Sequence, residues 1–136
     1  MTGLDMTHIT QKTIDLLKIK LAHSGVVVIR GQSIEDSDFV SFLRRIGTLT
    51  FTTGETPVAE QPMLNVVTNV GRTTPPRSVF HTDTSYVTAP PKYTALRAIA
   101  LPKQGGETLF TNQYQAYSTL PKRFKAQLAG RKLLHV

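Results

Sequence analysis

The chain carries, at residues 80–86, the segment Phe80-His81-Thr82-Asp83-Thr84-Ser85-Tyr86, from which both its fold and its chemistry are predicted. His81 and Asp83 are two positions apart, and side chains at that spacing on an extended backbone point to the same face. An imidazole nitrogen and a carboxylate oxygen on one face can bind the same metal ion. The segment therefore predicts two ligands of one metal site.

The ligand types indicate iron, although an ordinary structural role is the alternative. Mononuclear non-haem Fe(II) sites use two His and one carboxylate, and they leave the remaining positions open. Taken alone, a His in a strand is more often a hydrogen-bonded structural residue, and an Asp before Thr-Ser is more often a turn acceptor. His135 is the only His after Asp83 and is one residue from the end of the sequence, so we predict a structural role for it. The segment thus predicts half of an iron site.

Three further motifs follow this segment in order. They are Pro90-Pro91-Lys92-Tyr93-Thr94-Ala95-Leu96-Arg97-Ala98, Pro102-Lys103-Gln104-Gly105-Gly106-Glu107-Thr108-Leu109-Phe110-Thr111-Asn112 and Ala116-Tyr117-Ser118-Thr119-Leu120. Together with His81 to Tyr86, this ordered set resembles the core of the taurine dioxygenase (TauD/TfdA) family of Fe(II)/2-oxoglutarate-dependent oxygenases. The resemblance runs from about Gly25 to Val136 and is sharpest between Phe80 and Leu120.

The resemblance implies Fe(II) as the metal, 2-oxoglutarate as cosubstrate, and O2 and a small molecule as further partners. It implies that His81 and Asp83 bind the iron and that the Thr108 hydroxyl helps to bind a carboxylate of 2-oxoglutarate. For Thr108 the alternative is a β-branched residue favoured simply because it lies in a strand. Family members continue past the equivalent of Val136, where they carry the distal His and an Arg for 2-oxoglutarate. The resemblance therefore implies a truncated domain that is incomplete as an enzyme.

The residues around the predicted ligands bear on the substrate. Phe80 stands where taurine dioxygenase has Trp, Arg77 stands where it has Asn, and no His occurs between Thr48 and Gln61. These differences argue against taurine and leave a small anionic metabolite as the expected substrate of the hydroxylation. We predict that Arg77, Phe80 and Tyr86 line its pocket. Solvation of Arg77 in a loop and packing of Tyr86 in the core are the alternatives.

Length and charge limit the class of protein. The 136 residues fit one domain, 1–136, and the net charge of +7 arises from scattered basic residues without a stacking aromatic pattern. That favours a solvated basic surface over a nucleic-acid interface. The chain has no Cys and no apolar run long enough to cross a bilayer, so we predict a cytoplasmic protein that does not enter membranes.

The hydrophobic pattern predicts short strands typical of a β-sandwich or jelly roll. The resemblance implies an α+β fold, a partial double-stranded β-helix (jelly roll) with N-terminal and C-terminal helices. The helices are predicted from Ile9 to about His23, from Ser33–Asp36 to Gly47, from Asn112 to Thr119 and from Pro121 to Ala129. Thr7 or Thr10 is the predicted N-cap of the first helix and Gly25 its end. The strands are predicted at Val26–Ile29, Leu49–Phe51, Met63–Thr68, Thr94–Leu101 and Thr108–Thr111.

Two other functions compete with the oxygenase interpretation. An incomplete barrel exposes strand edges and apolar surface, so the chain could instead be an inactive assembly or regulatory module that forms homo-oligomers through open sheet edges. A basic nucleic-acid-binding domain, whose binding would fall steeply with salt, is the second competitor. The sequence leaves open the substrate, the oligomeric state, a separate source for the distal His and Arg, and whether the chain is naturally short or an interrupted gene.

Overall fold

The computed structural model describes residues 3–51, 56–71, 73, 79–132 and 134. These residues form an α+β structure with four helices and one two-stranded antiparallel sheet. The chain divides into two compact units, which we call the N-terminal unit (Met1–Arg77) and the C-terminal unit (Ser78–Val136). The prediction of a single domain spanning 1–136 stays a prediction.

Helix α1 (Gln11–Ser24) begins and ends where its capping residues predict. The Thr10 side chain accepts a hydrogen bond from the backbone N–H of Thr13 at 3.2 Å and so satisfies one of the free donors of the first turn. Gly25 ends the helix with φ 74°, and its N–H donates to the Leu21 carbonyl at 2.8 Å. A left-handed backbone favours glycine here because a Cβ is strained in that region.

Helix α2 (Asp36–Ile46) starts with a reciprocal cap, in which the N–H of Glu35 donates to the Asp38 carboxylate at 3.2 Å. Its apolar residues fall on one face, and Phe39, Val40 and Phe42 are buried. Gly47 ends α2 as predicted, but with an extended backbone rather than a left-handed one.

The core lies in the N-terminal unit. Its buried cluster consists of apolar side chains from the first residues, α1 and α2: Met6, Ile9, Ile14, Leu17, Phe39 and Phe42. The segment before α1 is fixed by side chains, since Gln32 donates to the Leu4 carbonyl at 2.6 Å and Arg45 donates to the Ile9 carbonyl. These bonds keep the N-terminal residues against the core.

The strand predicted at Val26–Ile29 is absent, and the segment is an irregular connection outside the sheet. Val27 and Ile29 pack against the core cluster while Val28 is exposed. One face of this β-branched run is therefore covered and the other is not. The prediction of a strand at Val26–Ile29 is therefore wrong.

The sheet consists of β1 (Pro57–Val58) and β2 (Gln61–Asn65), with Pro57 opposite Asn65 and Val58 opposite Gln61. Strand β2 overlaps the predicted strand Met63–Thr68, and Leu64 packs against the core. The remaining strand predictions are wrong, because no strand forms at Leu49–Phe51, Thr94–Leu101 or Thr108–Thr111. A strand needs backbone partners that local β propensity cannot supply.

The C-terminal unit contains helices α3 (Gln113–Thr119) and α4 (Lys122–Leu128), as predicted. The Asn112 side chain caps α3 by accepting from the N–H of Gln115 at 3.1 Å. Pro121 occupies the N-cap of α4 rather than the predicted first helical position. None of the described residues of this unit is buried. No helix in the described part of the chain is long and apolar enough to span a bilayer.

Candidate functional site

The segment that carries His81 and Asp83 ends in a turn rather than continuing as the predicted extended strand. Residues 79–82 are irregular, and Asp83 to Tyr86 form a turn closed by the N–H of Val87, which donates to the Thr84 carbonyl at 3.3 Å. Thr84 has φ 51°, in the left-handed region that a β-branched residue rarely adopts. Such a conformation costs about 1–3 kcal/mol and is commonest at functional sites. The chain therefore reverses immediately after Asp83.

His81 and Asp83 converge despite this turn. The Nε2 atom of His81 lies 3.1 Å from Oδ1 of Asp83, and the two side chains are 66% and 47% exposed. Two ligand atoms at right angles around a metal, each about 2.1 Å from it, are about 3 Å apart. The spacing therefore matches two neighbouring coordination positions, on side chains that solvent reaches.

The other nitrogen of His81 is already engaged. Nδ1 lies 2.9 Å from the carbonyl oxygen of Val79, which can only accept, so Nδ1 carries a proton and donates. This bond holds the ring with Nε2 facing Asp83, as outer-shell hydrogen bonds do for metal-binding His residues. The Val79 carbonyl and, after it, the negative charge of Asp83 raise the pKa of His81 above 6.5.

The Asp83 carboxylate is held by a residue that the motif spacing does not mark. Oδ2 of Asp83 accepts a hydrogen bond from the Thr94 hydroxyl at 2.8 Å, while Oδ1 faces His81. Thr94 lies 11 residues beyond Asp83, so no periodicity links the two positions. Its place within the second of the ordered motifs is the one signal that could have marked it.

Three more of the predicted site residues, Phe80, Tyr86 and Thr108, lie at exposed positions of the described chain. Phe80 precedes the turn and Tyr86 lies within it, and both are exposed, so Tyr86 does not pack in a core. Thr108 is exposed in an irregular segment after Gly105 and Gly106, whose backbones are left-handed with φ 72° and 77°.

Arg77, like His135, lies outside the described residues. Among the residues that are described, no group of three His, Asp or Glu side chains is placed to hold a metal ion. The described site therefore consists of two candidate ligands, His81 and Asp83, with Val79 and Thr94 behind them.

A separate open groove of about 650 Å³ lies in the N-terminal unit. Lys18, Arg44 and Arg45 line it together with apolar residues that include Leu49 and Met63. None of the predicted site residues that the structure describes contributes to this groove. Its basic lining can attract anions, but the groove holds neither of the candidate metal ligands.

Comparison with known proteins gives the context of the site. The sequence profile described as "Taurine catabolism dioxygenase TauD, TfdA family" matches residues 3–136. The chain is 28% identical, over 98% of its length, to an alpha-ketoglutarate-dependent sulfonate dioxygenase of Saccharomyces cerevisiae. It is 28% identical, over 85% of its length, to an alpha-ketoglutarate-dependent 2,4-dichlorophenoxyacetate dioxygenase of a Burkholderia species.

A third relative is an alpha-ketoglutarate-dependent sulfate ester dioxygenase of Pseudomonas putida, 29% identical over 81% of the chain. The chain spans 35%, 45% and 36% of the lengths of these three relatives, respectively. No solved structure matches it significantly.

Proposed function

The chain belongs to the TauD/TfdA dioxygenase family, and from this premise we propose that it carries part of the catalytic site of an Fe(II)/2-oxoglutarate-dependent dioxygenase. The observation that carries the proposal is the 3.1 Å approach of His81 Nε2 to Asp83 Oδ1. Both side chains are accessible, and their other polar atoms are held by hydrogen bonds: Nδ1 of His81 by Val79 and Oδ2 of Asp83 by Thr94. An ordinary surface ion pair forms without further hydrogen bonds to the other polar atoms of both side chains.

The ligand types fit the proposed metal. One imidazole nitrogen and one carboxylate oxygen are two of the three protein ligands that non-haem Fe(II) oxygenases use. We propose that Nε2 of His81 and Oδ1 of Asp83 bind Fe(II). Bound Fe(II), together with 2-oxoglutarate, would supply the activation of O2 needed to hydroxylate an unreactive C–H bond.

The hydrogen bonds around His81 and Asp83 place the proposed ligand atoms in positions that suit such an ion. Val79 keeps the Nδ1 proton on His81, so Nε2 is the nitrogen whose lone pair becomes available when its proton leaves. Asp83 already lies beside that position and supplies a negative charge that offsets part of the metal's charge. Nε2 of His81 and Oδ1 of Asp83 would hold the ion once the Nε2 proton has left, so metal binding would release a proton.

The substrate that we propose is a small organic anion. The three relatives are named for a sulfonate, for sulfate esters and for 2,4-dichlorophenoxyacetate, all of which are anionic. The net charge of +7 favours the approach of such molecules. We propose Arg77, Phe80 and Tyr86 as pocket residues and Thr108 as a ligand of the 2-oxoglutarate carboxylate.

Three broader proposals rest on family membership and composition. The jelly-roll architecture and the single domain over 1–136 are proposed from the family. The cytoplasmic location is supported by the absence of Cys, which suits a reducing compartment.

Anaerobic Fe(II) binding tests the proposed function. Equilibrium dialysis of the chain with Fe(II) is expected to show weak binding, which His81→Ala and Asp83→Asn each abolish. Adding 2-oxoglutarate to the Fe(II)-treated chain is expected to give at most a faint visible charge-transfer band, because two protein ligands hold iron loosely. Equal Fe(II) binding by the wild type and His81→Ala would overturn the assignment.

One observation favours a second function, an inactive assembly module of the same fold. The described part of the C-terminal unit exposes a set of large apolar side chains, which include Leu96, Ile99, Leu101, Leu109 and Phe110. Apolar surface of this kind favours association. A molar mass of two or more chains by light scattering, with no succinate formed from 2-oxoglutarate, would support this alternative over the enzyme.

A further inference from the structure

We propose that Thr94 is a positioning residue that orients the Asp83 carboxylate for metal binding, an inference that rests on the proposed function. The Thr94 hydroxyl donates to Oδ2 of Asp83 at 2.8 Å. An ionised carboxylate can only accept, so the direction of this hydrogen bond is fixed. Thr94 therefore binds the oxygen that faces away from His81.

Control of carboxylate rotation is the physical effect. The terminal torsion of an Asp side chain is broad and roughly two-fold, so an exposed carboxylate turns easily. With Oδ2 held by Thr94, Oδ1 stays 3.1 Å from Nε2 of His81. Asp83 then offers one oxygen to a metal ion, in the orientation that the neighbouring imidazole requires.

The chain between the two residues supports this role. Asp83 is followed by the left-handed Thr84, which reverses the backbone, and Pro90-Pro91 restrict the path before Thr94. Because Pro fixes φ near −65°, the segment can adopt fewer conformations in which the Thr94 hydroxyl lies away from the Asp83 carboxylate. The Thr94–Asp83 bond closes the segment between these two residues, which are 11 positions apart.

Metal binding by three Thr variants of the full chain tests the inference. Mn²⁺, a redox-stable substitute that binds oxygen and nitrogen ligands, is titrated while paramagnetic broadening of the His81 ring protons is followed by NMR. Thr94→Val removes the hydroxyl at nearly constant shape, and Thr94→Ser retains it. Thr88→Val is the matched control, because it makes the same change at an exposed position of the same segment.

Thr94→Val is expected to weaken Mn²⁺ binding by about 10-fold to 100-fold, the usual effect of losing an outer-shell partner. Thr94→Ser is expected to restore most of the affinity, and Thr88→Val to match the wild type. An unchanged affinity in Thr94→Val, with binding in the wild type that His81→Ala abolishes, would overturn the role of Thr94 alone.

Two further outcomes are also decisive. Equal weakening by Thr94→Val and Thr94→Ser would show that the hydroxyl is not responsible, and would overturn the inference. No broadening of His81 in the wild type would overturn the proposed function, and the inference with it. Amide spectra recorded for each variant, with the resonances of both units compared with those of the wild type, confirm that only the site has changed in every comparison.

Discussion

The N-terminal and C-terminal units differ in where their apolar side chains lie. In the N-terminal unit, Ile14, Leu17 and Phe42 are buried in a cluster that α1 and α2 share. In the C-terminal unit, apolar residues such as Ile99 and Phe110 are exposed, and none of the described residues is buried. The candidate metal ligands therefore belong to the unit whose described residues form no buried core.

This difference shows that the local structure of the chain is stabilised in two ways. Burial of apolar area stabilises the N-terminal unit by its own contacts. Around His81 and Asp83, order comes from hydrogen bonds to Val79 and Thr94 and from backbone restriction at Thr84. The site is thus arranged by polar contacts at the surface, where each contact contributes little to stability. Measurements on each unit can test this division.

Hydrogen exchange should show the largest contrast. Amides of α1 and α2 are expected to exchange through global unfolding of the N-terminal unit, because their helices bury residues in the core. The helices α3 and α4 have seven residues each and no buried residue, and helices that short are marginal in water. Their amides should exchange at nearly unprotected rates. Equal protection of α1 and α3 would refute the contrast.

Truncating the same residue type in each unit gives the next effect. Ile14 is fully buried, so Ile14→Ala is expected to cost about 2–5 kcal/mol of unfolding free energy. Ile99 is 77% exposed, and Ile99→Ala is expected to change that free energy by no more than about 0.5 kcal/mol. Urea unfolding followed by circular dichroism at 222 nm measures both. A large loss in Ile99→Ala would reveal packing in the C-terminal unit.

Two glycines test the N-terminal unit on a finer scale. Gly25 has φ 74°, and a Cβ added there would meet no neighbouring atom, so Gly25→Ala is expected to cost about 1–2 kcal/mol from backbone strain alone. Gly47 is extended, with equally open space, so Gly47→Ala should be neutral or stabilise by about 0.4–1 kcal/mol. Thermal unfolding distinguishes them. Equal effects would show that the end of α1 does not need a left-handed residue.

The helices were predictable because their signals are local. Thr10 and Gly25 mark the ends of α1, and the spacing of Phe39, Phe42 and Ile46 marks the buried face of α2. Strands depend on partners elsewhere in the chain. Thr94–Leu101 has β-type composition yet forms no strand, since composition does not specify what lies alongside a segment.

The candidate site was predictable to a similar extent. The two-residue spacing predicted that His81 and Asp83 converge, and they do, although the backbone turns at Thr84 instead of continuing as a strand. Metal binding by this pair stays a prediction. Thr94 could not be predicted, because its bond to Asp83 depends on how the intervening segment folds.

The smallest expected effect concerns the pKa of His81 in the metal-free chain. The Val79 carbonyl is the larger cause of the raised pKa of His81, and the Asp83 charge is the next. Asp83→Asn should therefore lower the pKa of His81 but leave it above 6.5, because the Val79 bond remains. The stabilisation that Val79 and Asp83 give to the charged ring is fully present below the unfolded pKa of 6.5 and is lost as the pH rises through the raised pKa. NMR titration of the His81 ring in the wild type and in Asp83→Asn measures the change. A pKa at or below 6.5 in the variant would show that Asp83, and not the Val79 carbonyl, raises the pKa of His81. The hydrogen bond to Val79 would then hold the ring less firmly than its 2.9 Å length indicates.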